Sequence, residues 1–314
     1  MTAPTPETTP YFGPAPLSSH AQPLVILNPA SNHGRASKLR PTIEKALTGA
    51  RGELVLTTKP GDASVLAEDA ARAGRGVIIV GGDGAINEAG NGLLRAGARV
   101  PLGVVPAGSG NDYATGVARM PHDIATALEI ALTATPARVD AARVNDRYCL
   151  NAVGVGIDAN CTATATKLKP YGLTGVALYM TAALSEVLLR YNQCPTLDTQ
   201  YDGGPVTHGD YAAVAMSIGP TYGGGFKINP SADPQDGYFT VCTITKPPQM
   251  RALKLLPMVE HGKHIGEPET TVFTARKIVL DSPVEIYAQL DGELLRARHF
   301  EVEILPGALW LRRG

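Results

Sequence analysis

The run Val77-Ile78-Ile79-Val80-Gly81-Gly82-Asp83-Gly84-Ala85-Ile86-Asn87-Glu88 limits the possible folds of this chain more than any other stretch. Four consecutive β-branched apolar residues suit a strand buried on both faces, as in a parallel sheet. The glycines after them let backbone come close to a ligand. Asp83 then stands between a strand end and a helix start, where open α/β sheets hold phosphate or metal. A plain strand-to-helix turn capped by Asp83 would use the same residues.

The flanking sequence extends this pattern. Leu24-Val25-Ile26-Leu27 predicts another buried strand, ending in Asn28-Pro29-Ala30-Ser31-Asn32-His33-Gly34-Arg35. Strands are also expected over Glu53 to Thr57 and Leu102 to Val105, the latter running into Pro106-Ala107-Gly108-Ser109-Gly110-Asn111-Asp112-Tyr113. Helices are expected over Ser37 to Leu47, Asp62 to Ala73 and Ala85 to Ala96, with Asp62 at or near an N-cap. Strands alternating with helices predict an α/β, Rossmann-like domain with a parallel sheet over residues 24–137. Its three loops, 28–35, 81–88 and 106–112, leave the same sheet edge and can converge on one ligand. Their glycines and free amides suit phosphate, although neither G-x-x-x-x-G-K-[ST] nor a clean G-x-G-x-x-G is present.

After Ala137 the segments become short, β-branched and separated by turns, which predicts a β-rich sandwich or flattened barrel over 138–305. One long helix, roughly Gly175 to Tyr191, interrupts it, and Ala308 to Leu311 reads as a strand returning to the first domain with about 306–314. A chain of 314 residues is long for a single core. The first 23 residues, rich in Pro, Thr and Ser, read as a disordered tail and lack the parts of a secretory signal. The four cysteines show no C-x-x-C spacing and predict free thiols in a reducing, cytoplasmic setting. A net charge of -1 gives no global basic field for nucleic acid. No apolar stretch approaches the roughly 20 residues that span a bilayer, so any membrane contact would be peripheral.

Near the C-terminus, Ala288-Gln289-Leu290-Asp291-Gly292-Glu293 again sets an acidic glycine turn after a strand. Asp291 and Glu293 could serve as base and metal ligand, or Asp291-Gly292 could simply close a hairpin.

Taken in order, these motifs resemble the diacylglycerol kinase catalytic family, relatives of which include bacterial soluble lipid kinases, sphingosine kinases and ceramide kinases. The resemblance rests on Asn28-Pro29 with Ser31 and Gly34; Gly81 to Gly84 with Asn87-Glu88; Pro106 to Tyr113; Gly223-Gly224-Gly225 with Pro230 and Asp236-Gly237; and Asp291-Gly292-Glu293. It implies an ATP- and Mg2+-dependent kinase that phosphorylates a hydroxyl of a diacylglycerol-like lipid at the membrane surface. Asn28, Pro29, Ser31, Gly34, Gly81, Gly82, Asp83, Gly84, Asn87 and Glu88 are then expected on the nucleotide side, completed by Gly108, Ser109 and Asn111. Asp83 would bind magnesium directly or through water, helped by Asp112. Asp291 would be the base with Glu293 in support, and Asp236, near Asp233, would hold a second, structural magnesium. Which acid meets the metal and which takes the proton stays open at this stage. Ala85 stands where the family commonly has Thr, Asn32 where it has Gly, and Ser109 where Thr is more frequent.

A soluble kinase of NAD-kinase type and a non-catalytic lipid- or nucleotide-binding homologue are the rival readings. Nothing in the sequence marks an oligomeric interface, and a dimer is compatible with it. His33, His208, His261, His264 and His299 form no defensible metal pattern. The apolar helix around Leu178, Tyr179, Leu184, Val187 and Leu188 suits core packing or an acyl-chain groove, with Lys167, Lys169 and Arg190 placed to meet anionic headgroups.

Overall fold

The computed structural model describes residues 22–50, 52–97, 99–168 and 171–314. The expected disordered tail, up to residue 21, and Lys169 lie outside the described residues. Strands β1 (Leu24–Leu27), β2 (Glu53–Leu56), β3 (Val77–Gly81) and β4 (Pro101–Pro106) pair in parallel in the order β2-β1-β3-β4. Every residue of β1 and β3 is buried, as unbroken apolar runs require. Helices α1 (Arg40–Ala50), α2 (Asp62–Arg72), α3 (Asp83–Arg95) and α4 (Ile124–Thr133) accompany this sheet.

Local chemistry moves several boundaries from their expected places. A 3-10 turn at Arg35–Leu39 precedes α1, which therefore starts later than Ser37, with Pro41 in its first turn. There the missing amide costs no intrahelical bond. Asp62 lies next to the cap of α2, a position that belongs to Gly61 at φ 88. The Asp62 carboxylate reaches backward instead, accepting from the Thr58 amide (2.8 Å), the Thr58 hydroxyl (2.7 Å) and the Lys59 amide (3.1 Å). Helix α3 begins two residues before Ala85, which puts the Asp83 carboxylate in its first turn, where the helix dipole favours a negative charge.

The second half is built from β5 (Pro136–Val144), β6 (Arg147–Cys149), β7 (Ala152–Gly156), β8 (Thr196–Tyr201), β9 (Thr207–Ser217), β10 (Phe239–Thr245), β11 (Thr270–Ala275), β12 (Lys277–Leu290) and β13 (Glu293–Arg312). These strands pair antiparallel with one another. Strand β13 joins the halves: it runs antiparallel to β12 and β5, then aligns Trp310 and Leu311 in parallel with Pro101 and Leu102 of β4. Residue 137 falls inside β5. Each half keeps a large apolar core of its own.

Three helices cover part of the β-rich half: α5 (Ile157–Leu168), α6 (Gly175–Leu189) and α7 (Gln249–Glu260). Only α6 was legible in advance. Helix α5 is rich in β-branched Thr, which disfavours a helix on propensity. In the fold the Thr162 and Thr166 hydroxyls donate to the carbonyls of Asp158 (3.3 Å) and Thr162 (3.0 Å), one turn back. Helix α7 carries Pro257 in its interior, which hides it from pattern reading.

Candidate active site

The ends of β1, β3 and β4 open on one cleft, and the Asp291-Gly292 turn faces them across it. The cleft wall includes Asn28, Ser31, Gly82, Asp83, Gly84, Asn87, Gly108, Ser109, Asp112, Asp291 and Glu293 among the expected site residues. Pro29, Gly34, Gly81, Glu88, Asn111 and Asp236 do not line it. Gly34 turns the chain into the 3-10 segment at φ 83, following Asn32 and His33 at φ 51 and 55. Asn is among the residues that best tolerate this conformation, which accommodates Asn32 at a family glycine position.

The loops are held by hydrogen bonds among the motif residues themselves. Asn28 Oδ1 accepts from the Ala30 amide (3.0 Å), and Ser31 Oγ accepts from the Gly82 amide (3.3 Å). Asn111, at φ 62, bonds both ways with Gly108: its Oδ1 accepts from the amide (2.8 Å) and its Nδ2 donates to the carbonyl (3.1 Å). Its role is to shape the loop. Gly82 and Gly108 pack back to back; a Cβ on Gly82 would lie 3.0 Å from the Gly108 Cα. The glycines expected to admit phosphate therefore also let two loops touch. Ala85 presents a buried methyl on the cleft wall, close against Gly81.

Asp83 ties two of these loops. Its Oδ2 accepts from the Asn111 amide (2.8 Å) and its Oδ1 from the Tyr113 amide (3.0 Å). Asp112 is close by: a Cβ on Gly110 would sit 3.0 Å from Asp83 Oδ2 and 3.6 Å from Asp112 Oδ2. Burial, and then the Asp83 charge, push the Asp112 carboxyl up to about 6, against bonds from Gly224, Gly225 and Thr221 that lower it. The Gly224 amide donates to Asp112 Oδ2 at 2.7 Å. Gly223, Gly224 and Gly225 all have positive φ (69, 84 and 112), and Gly224 rests against Gly175 at the start of α6. The triple glycine thus delivers an amide to a carboxylate of the other half. A close pair of partly buried carboxylates is the kind of donor set that takes Mg2+ together with substrate phosphates.

Asp291 and Gly292, at φ 50 and 88, form the two-residue turn between β12 and β13. The hairpin and site readings hold at once, because that turn lines the cleft. The expected base is heavily engaged. Asp291 Oδ1 accepts from the amides of Asn151 (2.9 Å) and Ala152 (3.0 Å) and from Cys149 Sγ (3.1 Å), and Oδ2 accepts from the Leu150 amide (2.6 Å). Burial raises its carboxyl above the ordinary value while these donors pull it down. Glu293 is exposed on the cleft, and its carboxylate has no hydrogen-bond partner among the described residues.

Asp236 lies away from this cleft in a turn of its own. Its Oδ1 accepts from the Tyr238 amide (2.8 Å), and Asp233 Oδ1 accepts from the Gln235 amide (3.0 Å). Neighbouring Asp140 spends both oxygens on the Gly237 and Gly307 amides (2.8 and 2.7 Å). Among the described residues, no group of three or more His, Cys, Asp or Glu is arranged to hold a metal ion.

Sequence reasoning missed Asp158, Tyr222 and Gln289. Tyr222 Oη (2.8 Å) and Gln289 Nε2 (3.3 Å) both donate to Asp158 Oδ2, and burial lifts that carboxyl to about 6. The signal was present: Val153-Gly154-Val155-Gly156-Ile157-Asp158 repeats the order strand, glycine, acid, helix start seen at residues 77–84.

Comparison with known proteins agrees with this architecture. Residues 22–144 match the diacylglycerol kinase catalytic domain, and residues 151–313 match the YegS C-terminal NAD kinase beta sandwich-like domain. The protein named "Probable lipid kinase YegS-like" from Yersinia pestis (strain Pestoides F) is 33% identical over 303 residues, covering 92% of this chain and 96% of that one. A solved structure of a diacylglycerol kinase from Bacillus anthracis str. Sterne superposes with a TM-score of 0.71 at 20% identity, covering 93% and 97% of the two chains. An NAD kinase from Archaeoglobus fulgidus, solved in complex with ATP, shares the fold more distantly, with a TM-score of 0.55 at 14% identity over 93% and 94%. With both halves matched in order and a relative at one-third identity over nearly its whole length, the chain belongs to the diacylglycerol kinase catalytic family and carries the YegS-type C-terminal domain.

Proposed function

We propose that this protein transfers the γ-phosphoryl group of ATP to the hydroxyl of a diacylglycerol-like lipid, with Mg2+, at the membrane surface. Membership of a kinase family implies ATP. The observation that carries the lipid half of the reading is an apolar cavity under α5, α6 and α7 that adjoins the cleft and shares Tyr179, Tyr222 and Gly223 with its wall. A soluble phosphate acceptor has no use for such a cavity, whereas a hydrocarbon chain does. Leu184, Leu188 and Leu189 of α6 and Met250 of α7 are exposed by 44%, 51%, 79% and 69%. They stand beside Ala183, Val187 and Ala252 of the cavity wall, which supports peripheral contact with a bilayer. Among the described residues no helix is long and apolar enough to cross a membrane.

In this reading the loops at 28–31, 82–84 and 108–110, with the N-terminus of α3, receive the phosphates. Asp83 and Asp112 would hold Mg2+, which when bound neutralises phosphate charge. Asp236 and Asp233, with nearby carbonyls, would hold the second cation. The lipid hydroxyl forms the new O–P bond as the bond from γ-phosphorus to the β-phosphate oxygen breaks, and ADP leaves. Its proton passes to the edge formed by Asp291 and Glu293. There Glu293 is the freer carboxylate, because Asp291 already accepts four hydrogen bonds.

The test is transfer of labelled γ-phosphate from ATP to chloroform-extractable lipid in mixed micelles. The expected outcome is Mg2+-dependent labelling that falls at least about a hundredfold in Asp83→Asn, the scale of losing a preorganised electrostatic contact. Labelling of NAD but of no lipid would refute the reading.

A further inference from the structure

The apolar cavity and the phosphate cleft share Asp158, Tyr179, Tyr222 and Gly223. These four residues, the neck, line both spaces, and Asp158 is the only carboxylate among them. Tyr222 and Gln289 both bond its Oδ2, which fixes the carboxylate plane. Oδ1 has no hydrogen-bond partner among the described residues, and it is not one of the fully enclosed polar atoms left without a partner. It is therefore an open acceptor at the point where the chain of an amphiphile would meet its head. Helix α5 sets this position from its first turn, directly after the buried strand β7.

The neck contains no basic side chain. The two tyrosines are its other polar side chains, and Gln289 reaches Asp158 from the cleft wall. A buried carboxylate in such a place costs free energy unless a hydrogen donor or a cation meets it. Tyr222 and Gln289 donate to Oδ2, and the remaining carboxylate oxygen, Oδ1, accepts hydrogen bonds without donating any. A diacylglycerol has one hydroxyl hydrogen, which the transfer itself consumes. Its ester oxygens, placed beside Oδ1, would oppose lone pairs to lone pairs. An acceptor with a second polar hydrogen next to the reacting hydroxyl would satisfy Oδ1 throughout the reaction.

We infer that Asp158 is the specificity-determining residue for the acceptor: it binds a second hydrogen donor, hydroxyl or ammonium, adjacent to the hydroxyl that is phosphorylated. The inference rests on the lipid-kinase reading and narrows it from a diacylglycerol-like lipid to a long-chain amphiphile with two neighbouring donors. The donor has two chemical sources, a vicinal hydroxyl as in a 1-monoacylglycerol and an ammonium as in a long-chain 2-amino alcohol.

The experiment compares kcat/KM for ATP-dependent phosphorylation of a 1-monoacylglycerol, a long-chain 2-amino alcohol and a diacylglycerol of matched chain length. At least one two-donor acceptor should exceed the diacylglycerol by about tenfold or more, the value of one hydrogen bond to a charged group. Asp158→Asn keeps the shape and replaces one acceptor by a donor. It should reduce that ratio to within about threefold while the KM for ATP stays unchanged. Preference of the wild-type protein for the diacylglycerol overturns the inference without any variant, as does an unchanged ratio in Asp158→Asn. If no lipid turns over, the lipid-kinase reading falls, and the neck is then tested by calorimetric binding of the same amphiphiles with a non-hydrolysable ATP analogue. Binding that weakens about tenfold in Asp158→Asn supports the assignment; absent or unaltered binding overturns it.

Discussion

Asp291 offers the sharpest separation of scaffold from chemistry, because its carboxylate already accepts four hydrogen bonds from residues 149–152. In Asp291→Asn the retained oxygen can keep the amides of Asn151 and Ala152 and the Cys149 thiol. The other oxygen becomes an NH2 group facing the Leu150 amide, a donor against a donor 2.6 Å from the original oxygen. That exchange removes one charge-assisted hydrogen bond and leaves a partly buried amide unmet, a loss of about 2–3 kcal/mol. Asn tolerates the φ of 50 at this turn, so backbone strain adds little. For a chain of this size the loss corresponds to a fall in Tm of roughly 4–12 °C. Asp291→Ala strands all four donors and adds the cost of a left-handed Ala, for a total of about 4–7 kcal/mol, close to the full stability of many proteins. The assay is denaturant unfolding of both variants beside their turnover. An Asp291→Asn protein with wild-type Cm and no turnover would refute the clamp and restore Asp291 as a purely chemical base.

Asp158 gives a prediction with a definite pH signature. Its folded pKa is raised from 3.8 to about 6, so the folded protein binds that proton more tightly than the unfolded chain. The penalty is absent below about pH 4, grows as pH rises through 6 and is complete above it. Tyr222, Tyr179 and Cys161 face this carboxylate, and no cation is among the groups that shift it. Asp158→Asn should therefore stabilise the protein by about 1–3 kcal/mol at pH 8, with the gain vanishing by pH 4. A gain independent of pH in urea unfolding would contradict this origin. At the lip of the cavity, Leu188→Ser with Leu189→Ser should weaken sedimentation with anionic vesicles by at least about tenfold, since each leucine buried in lipid contributes about 1.5–3 kcal/mol. Undiminished sedimentation would remove α6 from the membrane contact.

The first half of the molecule was legible because its strands are unbroken apolar runs and each ends in a glycine loop. Val77 to Val80 has few other ways to be stable than inside a parallel sheet. The motif residues were found for the same reason, but their duties were less legible. Asn111 and Gly108 read as nucleotide contacts, and they spend their bonds on each other. Asp62 read as lying at or near a cap; it follows the Gly61 cap directly, but its partners lie behind it. Sequence spacing places a polar group at a loop without saying which way it turns. Helices α5 and α7 were hidden because Thr-rich and Pro-containing segments are held helical by the β-rich face they cover, an override of local propensity by packing. With α5 hidden, the strand, glycine and acid order that ends at Asp158 went unread.

One acid of the cleft ties the two halves together, and another braces the second half. Asp112 takes the Gly224 amide from the second half, and Asp291 gathers the amides between β6 and β7 beneath the hairpin that carries Glu293. Both contacts are charge-assisted and partly shielded from water, so each is stronger than a neutral surface bond. In the proposed reading, phosphate charge arriving beside Asp83 and Asp112 would repel these carboxylates unless a cation came with it, so nucleotide and metal would enter together. The same argument sets the direction of selectivity in the cleft. Its acids are arranged as acceptors, and every ligand group that enters beside them must bring a hydrogen or a positive charge.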